Sequence, residues 1–291
     1  SSPSPPQWSN VALATAFNCM KLICDELMDD LSTDIIMKLL PSLACFAVQN
    51  YDMNVSLTSI ELMWKVTDSM VSKYASAYGC SNGTDGLNKQ DKGEMTEAGG
   101  SHAEVILNAM MKELLHLSMD SRPEIRNCAI KTLFSAMLSY MTHPLLSNKW
   151  YSIFTEILFP LFHHIKKNTF VAMQNNVEGF TPEVKKGVKI TVHHSRNTSL
   201  KQWSETYVIA LKSLSRIMKP CVKTLATEAW FLQVWKSSIS VCMDSIGSLS
   251  APDQQLSQDN DVIAATVDVL FILLRATIPG KDAENKADPV F

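Results

Sequence analysis

Apolar residues recur every three to four positions along nearly the whole chain, in stretches separated by polar breaks. The first stretch carries Val11, Leu13, Phe17, Met20 and Leu27. This spacing places apolar side chains on one face of an α-helix, and strand-like alternation is not sustained anywhere comparable. The pattern therefore predicts an all-α chain of about nine amphipathic helices.

The polar breaks and local start signals give the expected extents of these helices. The predicted helices cover about 10–27, 33–49, 54–78, 102–119, 121–138, 147–162, 198–218, 221–246 and 260–276, the eighth with a break near Thr227. Ser121, with Pro123 in the first turn and Glu124 three residues on, predicts a capping box. Proline inside a helix removes a backbone hydrogen bond, so kinks are expected at Pro41 and Pro160.

Further caps and ends follow from single residues. Ser9 or Asn10 is expected to cap the first helix, Asn54 the third, and Ser147 to open the sixth. Pro220 is expected to end the helix that starts near residue 198.

Two of the polar breaks are long, at about 79–101 and 168–195. Residues 79–100 hold six of the ten glycines, mixed with Asn, Asp, Lys and Ser. Such a segment buries too little apolar surface to offset the entropy of ordering, so both breaks are predicted to be flexible surface loops. We expect a disordered leader at 1–8, one helical domain over 9–278 and a frayed tail at 279–291.

Helix starts near residues 9 and 54, and near 102 and 148, are about 45 residues apart, close to the repeat length of HEAT and armadillo units. Helical pairs of this kind cannot bury their apolar faces alone and stack on their neighbours. The spacing favours an armadillo/HEAT-like helical-repeat solenoid. A compact helical bundle is the competing interpretation.

Charge, cysteine content and hydropathy argue against several classes of protein, among them nucleic-acid-binding, secreted and membrane-spanning proteins. The net charge of −3 argues against a surface devoted to nucleic acid. Six of the seven cysteines lie in apolar helical patterns without a CxxC pair, which is typical of small buried side chains in a reduced compartment. The first residues resemble no signal peptide, and the most apolar stretch, 262–278, is too short and too charged for a membrane span.

The sequence contains no strong catalytic or metal-binding pattern. The pairs His163-His164 and His193-His194 lack further ligands at the spacing of a zinc site. The simpler interpretation is that one ring of His163-His164 packs against the protein and the other is exposed to solvent. Ser195 has no nucleophile-elbow context, and no phosphate-binding glycine loop is present. We expect no enzyme activity and no cofactor, and a histidine-assisted hydrolase is the weak alternative.

Charge is unevenly distributed along the chain. Residues 161–223 contain eleven Lys or Arg and three Glu, a net of +8, so the remainder carries −11. This segment could meet an anionic membrane, an acidic protein or only solvent. Nucleic acid is disfavoured because aromatic side chains are not interleaved with the lysines. The candidate interaction surface comprises Lys185, Lys186, Lys189, His193, His194, Arg196 and Lys201.

Three stretches of the sequence match motifs of one known protein family. Residues 120–134, DSRPEIRNCAIKTLF, are similar to the pattern D-x-R-P-x-(V/I)-R-x-x-A-x-x-T-L-F. Residues 193–206, HHSRNTSLKQWSET, are similar to H-H-S-R-D-T-x-x-K-Q-W-x-E-T, with Asn197 in place of Asp. Residues 54–64 resemble N-(I/V)-S-L-T-(A/S)-I-G-L-L-W, with Glu61 replacing Gly. With these motifs the chain resembles the Mon-two family, large cytosolic scaffolds of the late Golgi and endosomes that are related to the big Arf guanine-nucleotide exchange factors.

We interpret these motifs as fold signatures, that is, as residues that determine the fold, in preference to binding surfaces. Arg122 and Arg126, with Asp120 and Glu124, suit a polar network between helices, and Leu133 and Phe134 suit the core. Ser195 or Asn197 is expected to cap the helix that Trp203 anchors.

The resemblance implies an armadillo-like fold from the HDS-type region, which follows the position of the exchange factors' catalytic domain. No segment here resembles that catalytic domain, so nucleotide exchange is not expected. The resemblance also implies peripheral association with trans-Golgi and endosome membranes from the cytoplasm. Its implied partners are a Dopey-type protein, an Arf-like GTPase and an aminophospholipid flippase, with no small-molecule substrate. A karyopherin-type cargo adaptor and the regulatory region of an active Arf exchange factor are the alternatives.

Overall fold

The computed structural model describes residues 10–79, 89–141, 149–178, 198–247 and 256–275. These ranges contain nine long helices and no strand. The all-α, helical-repeat prediction is confirmed. The helices are α1 (Asn10–Glu26), α2 (Thr33–Val48), α3 (Met53–Gly79), α4 (Lys89–Leu117), α5 (Pro123–Tyr140), α6 (150–178), α7 (Ser199–Leu225), α8 (Phe231–Gly247) and α9 (Leu256–Arg275).

The chain divides into two compact units, residues 1–153 and 154–291. In the first unit α3 packs against α2, α4 and α5, and α2 also contacts α4. Their facing apolar stripes form a core that includes Leu40, Ile60, Met63 and Leu133, all fully or almost fully buried. Each such side chain contributes about 1.5 to 3 kcal/mol when it leaves water.

In the second unit α7 packs between α6 and α9, and α8 contacts α9 and α6. The core contains Phe162 and Tyr207, whose ring centroids lie 6.2 Å apart, together with Leu211 and Val269. α7 has a full apolar face from Leu200 to Leu225, which explains its central position.

α6 contains a wide turn. It begins as α-helix at Trp150–Ser152, becomes π-helical over Ile153–Leu158 and returns to α-helix at Phe159–Glu178. Pro160 lacks the N–H that would bond to the Glu156 carbonyl, and the π turn lies directly before it. The hydrogen-bonding pattern of the helix thus changes next to Pro160, whereas α2 remains α-helical through Pro41.

Several predicted caps are wrong. Asp52, not Asn54, caps α3, because its Oδ1 accepts the N–H groups of Asn54 at 2.8 Å and Val55 at 3.3 Å. At the start of α5 the cap position is Arg122, whose own side chain makes no cap hydrogen bond, so the Ser121 capping box is not formed.

The cap of α7 is Thr198, not Ser195 or Asn197. Thr198 Oγ1 accepts the N–H of Lys201 at 3.2 Å. The helix begins at Ser199, so the two earlier candidates lie before the cap position, outside the described residues.

Pro220 does not end α7, contrary to prediction. The apolar face continues past it with Cys221, Val222 and Leu225, all buried, and this burial offsets the one backbone bond that proline removes. The expected break near Thr227 is confirmed by the gap between α7 and α8.

Parts of both predicted loops are helical. Residues 89–101 belong to α4 and residues 168–178 to α6, and α9 begins at Leu256 rather than near 260. Helix formers such as Lys, Gln, Glu and Met outweigh the glycines at the start of α4. The rest of both predicted loops, the opening of the sixth helix at Ser147, the leader and the tail lie outside the described residues.

Candidate interaction surfaces

The structure describes one of the seven predicted surface residues. Lys201 lies in the first turn of α7, and its Nζ is 3.9 Å from Glu205 Oε1 one turn later. Lys185, Lys186, Lys189, His193, His194 and Arg196 fall outside the described residues.

Lys201 begins the polar face of α7, and four more cations follow on that face. Lys212, Arg216, Lys219 and Lys223 are spaced by four, three and four residues, and all four are exposed. This spacing aligns them along about 16 Å of one helix side. We call these four residues the α7 basic stripe.

Repulsion among the cations of the α7 basic stripe lowers the stability of the isolated helix. Glu205 is the only acidic residue of α7. Within the described part of the chain, none of the four cations has a carboxylate at ion-pair distance. Like charges one turn apart destabilise a helix by roughly 0.2 to 0.5 kcal/mol per pair. The local energetics of the helix therefore do not favour this arrangement.

A second polar cluster joins two helices of the first unit. Arg122 forms a two-pronged ion pair with Asp120, with Nε to Oδ1 at 3.0 Å and Nη2 to Oδ2 at 2.7 Å. Its guanidinium also donates to the carbonyls of Gln49 at 2.7 Å and Ala47 at 3.0 Å, at the end of α2. We call this arrangement the Arg122 clamp.

The Arg122 clamp is largely buried, with 19% of the Arg122 side chain and 11% of the Asp120 side chain exposed. Burial alone raises the pKa of the Asp120 carboxyl, but the hydrogen bonds and charge of Arg122 outweigh it and hold that pKa below its usual value. The predicted polar network is confirmed for these two residues. Arg126 is fully buried and donates from Nη1 to the Ser121 carbonyl at 2.6 Å.

In the pair His163-His164 one ring is exposed to solvent and the other is packed, as predicted. His163 is exposed, whereas the His164 ring meets Trp203 edge-on at a centroid distance of 5.8 Å. Asn168 Nδ2 lies 2.9 Å from His164 Nε2. Trp203 itself is buried, so it is a core residue of α7 and anchors this helix against α6.

A cavity of about 260 Å³ lies among α6, α7 and α8 of the second unit. Phe159, Phe162 and Tyr207 line it, and a 2.8 Å ion pair between Lys166 and Asp244 stands at its edge. Burial, followed by the charge of Asp244, raises the pKa of the Tyr207 phenol, which donates to the Val241 carbonyl at 3.3 Å. The Tyr207 phenol therefore stays protonated at neutral pH and acts as a hydrogen-bond donor to α8.

Metal and thiol chemistry find little support in the described helices. No group of three or more His, Cys, Asp or Glu in them could hold a metal ion. Cys24, Cys221 and Cys242 are buried, and burial is the main cause that raises their thiol pKa values to about 11, 12 and 12. Cys19 and Cys45 are exposed, so the prediction of burial is wrong for these two small side chains.

Cys128 is half-buried, and Cys80 lies outside the described residues. No helix in the described ranges has an apolar run long enough to cross a bilayer.

Amphipathic helices packed in this way place the chain in the class of all-α helical-repeat proteins. The family model of the C-terminal region of the Mon2 protein matches residues 31–291. The chain belongs to the Mon2 family, which confirms the family predicted from the three sequence motifs.

Relatives from distant organisms agree with this assignment. The human Protein MON2 homolog is 25% identical over 291 residues, covering 95% of this chain and 16% of that protein. The Xenopus laevis homolog is 27% identical over 289 residues, covering 94% and 15%. Protein MON2 of Saccharomyces cerevisiae is 23% identical over 207 residues, covering 66% and 12%. The chain thus spans about a sixth or less of these relatives, and no solved structure matches it.

Proposed function

We propose that this chain is a non-enzymatic scaffold segment of a large cytosolic protein in vesicle-mediated transport between endosomes and the trans-Golgi. The family match over residues 31–291 carries the proposal. Exposed charged and apolar helix faces in both units support it, because such faces provide area for macromolecular partners. The proposal includes a cytoplasmic location with peripheral association with trans-Golgi and endosome membranes.

The proposed protein partners are those implied by the family resemblance: a Dopey-type protein, an Arf-like GTPase and an aminophospholipid flippase. No cofactor, nucleic acid or small-molecule substrate is part of the proposal. The same proposal includes the assignment of this chain to the HDS-type region, which follows the position of the exchange factors' catalytic domain.

Proximity labelling with the full-length protein tests the scaffold role. Deletion of residues 31–291 is expected to reduce labelling of at least one of the three partner classes severalfold, because their contact surface is removed. A full-length variant in which the four exposed residues of the α7 basic stripe are changed to alanine tests the same segment without removing its core. Unchanged labelling in both variants would contradict a scaffold role for this segment.

The same experiments separate the alternatives. Labelling dominated by nuclear transport factors would favour the karyopherin-type adaptor. Accelerated GDP release from an Arf protein by the full-length chain would favour the regulatory region of an active exchange factor.

The α7 basic stripe favours a second role, contact with an anionic membrane surface. A basic residue near such a surface contributes about 1 kcal/mol. The exposed large apolar residues described in this structure do not include any of α7, so this contact would be electrostatic and weakened by salt.

Vesicle flotation tests the membrane role. With phosphoinositide-containing vesicles at low salt, changing the four stripe residues to alanine is expected to weaken binding by more than about a hundredfold. A matched control replaces four exposed lysines of the first unit, Lys21, Lys38, Lys112 and Lys131, which gives the same change in net charge. Equal binding by both variants, or binding insensitive to salt, would sink the membrane role and leave an acidic protein as the candidate partner.

A further inference from the structure

The cavity of the second unit is a groove between α6 and α8, with α7 beneath it. Phe159 and Phe162 line the cavity from α6. Tyr207 lines it from α7, and Val241 from α8. Phe162 and Tyr207 are buried, whereas Phe159 and Val241 are partly exposed. We call this cavity the α6–α8 groove. An apolar group that enters it would remove the surface of three aromatic rings from water, which favours binding.

The backbone beside the α6–α8 groove contains the π turn of α6. The π-helical segment Ile153–Leu158 ends directly before Phe159. A π turn holds more residues than an α turn, so it changes the direction in which the following side chains project, and such turns are frequent at functional sites. The fully buried Phe154 supports Phe159, since their ring centroids lie 5.8 Å apart. The one π turn of the described helices therefore adjoins the groove.

Two serine hydroxyls of α8 in the α6–α8 groove lack a partner. The buried serines of this helix, Ser238 and Ser245, donate to carbonyls of their own helix at 2.8 and 2.7 Å. Ser237 and Ser240 line the groove, and among the described residues neither hydroxyl has a hydrogen-bond partner. Since a hydroxyl accepts as well as donates, both serines are available to an N–H group of a ligand.

The charges around the α6–α8 groove favour an anionic ligand. Lys166 and Asp244 pair at 2.8 Å, and Asp244 is the only acidic residue among those that line the groove. Lys167 of α6 and Lys236 of α8 each follow or precede a lining residue and are exposed. Within the described ranges neither has a carboxylate at ion-pair distance. The rim therefore complements carboxylates placed beside an apolar group.

The size of the α6–α8 groove separates two kinds of ligand. Sites for small molecules usually measure about 300 to 1,000 Å³. The volume here, about 260 Å³, is smaller and suits one large side chain of a segment that lies outside the groove. Tryptophan is among the side chains that most often fill such pockets at interfaces, and its indole N–H takes an acceptor when it is buried. Ser237 and Ser240 supply that acceptor.

We propose that the α6–α8 groove binds a tryptophan side chain in an acidic segment of a partner protein. The indole ring packs against the three aromatic rings of the groove, and its N–H donates to the hydroxyl of Ser237 or Ser240. Carboxylates of the same segment pair with Lys167 and Lys236. This site rests on the scaffold function proposed above and deepens it, because it assigns one surface of the chain to one kind of partner segment.

Binding of a peptide to the 291-residue chain tests the proposal. The probe is acetyl-Glu-Glu-Ala-Trp-Ala-Glu-Glu-amide with a fluorinated indole, whose fluorine NMR signal is distinct from the six tryptophans of the protein. The parent chain is expected to bind the probe at a single site. Ser240→Phe places a ring at the exposed edge of the groove, so it is expected to weaken binding by about tenfold or more.

A matched substitution and a matched peptide control this test. Thr224 is also an exposed hydroxyl residue, but it lies on α7 outside the groove, so Thr224→Phe is expected to bind like the parent. Circular dichroism of both variants verifies the helical fold. A probe with alanine in place of tryptophan is not expected to compete. Competition by this alanine peptide would overturn the proposal and assign the binding to exposed cations alone.

Single contacts have their own expected effects. Ser237→Ala is expected to lower affinity severalfold because an acceptor is lost, and Lys236→Ala to lower both the affinity and its dependence on salt. Absence of binding to the parent, or equal binding by Ser240→Phe, would overturn the proposal. Binding of free indole without binding of the peptide would also overturn it and indicate a small-molecule pocket.

These outcomes are separable from failure of the scaffold function. If the peptide does not bind but deletion of residues 31–291 still reduces proximity labelling, the groove proposal fails and the scaffold function stands. If the peptide binds but labelling is unchanged by the deletion, the scaffold function fails instead.

Discussion

Trp203→Ala is expected to lower the free energy of unfolding of the second unit by about 4 kcal/mol, the usual cost of removing a buried tryptophan from a core. Trp203 is buried on α7, and its ring contacts His164 of α6. The substitution leaves a cavity at the start of α7 and removes the ring contact. Urea denaturation followed by circular dichroism measures the change in midpoint and slope.

An exposed aromatic residue provides the control for Trp203→Ala. Phe170 is half-exposed on α6, so Phe170→Ala is expected to change the free energy of unfolding by less than about 1 kcal/mol. If the two variants had equal stability, Trp203 would not anchor α7. The motif at residues 193–206 would then be a binding surface rather than a fold signature.

Arg122→Ala is expected to destabilise the first unit by about 3 kcal/mol. The substitution removes the two hydrogen bonds to the end of α2 and leaves the Asp120 carboxylate without its main partner. Removal of one partner of a largely buried ion pair typically costs about 3 to 5 kcal/mol, and the residual exposure of this clamp supports the lower value. The measurement is the urea midpoint of the first unit.

Two variants define what the Arg122 clamp contributes. Arg122→Lys keeps the charge but not the planar fork, and it is expected to recover only part of the stability. Lys149→Ala removes an exposed ion pair, in which Lys149 Nζ lies 2.8 Å from Glu104 Oε1 and the two side chains are 46% and 43% exposed. The expected loss in the free energy of unfolding is below about 1 kcal/mol. An Arg122→Ala loss as small as that of Lys149→Ala would refute the clamp as a determinant of the fold.

The apolar faces of the described helices were predictable because an α-helix has 3.6 residues per turn, and burial of one side of it leaves that period in the sequence. The helix ends were less predictable because they depend on single contacts. Ser121 matches a cap sequence, yet the Asp120 carboxylate accepts the Arg122 N–H at 2.8 Å and the helix begins at Pro123. Pro220 matches a stop signal, yet buried residues on both sides of it keep the helix intact.

The candidate surfaces were predictable only in part. The charge excess of residues 161–223 was visible, but a count over 63 residues does not separate one helix face from another. The spacing of Lys212, Arg216, Lys219 and Lys223 held that information in the sequence. Exposed apolar residues such as Val267 and Phe271 could not be recognised in this way, because periodicity identifies apolar positions without indicating which of them the fold covers.

The distribution of the cysteines has a practical consequence. The thiolate is the reactive species, so a buried thiol whose pKa is raised to about 11 or 12 is nearly inert at neutral pH. Isotope-coded alkylation read by mass spectrometry can therefore use Cys19 and Cys45 as internal references in the native chain. Modification of Cys24 then reports opening of the first unit, and modification of Cys221 and Cys242 reports opening of the second. Both signals come from one sample of the native protein, without an engineered probe.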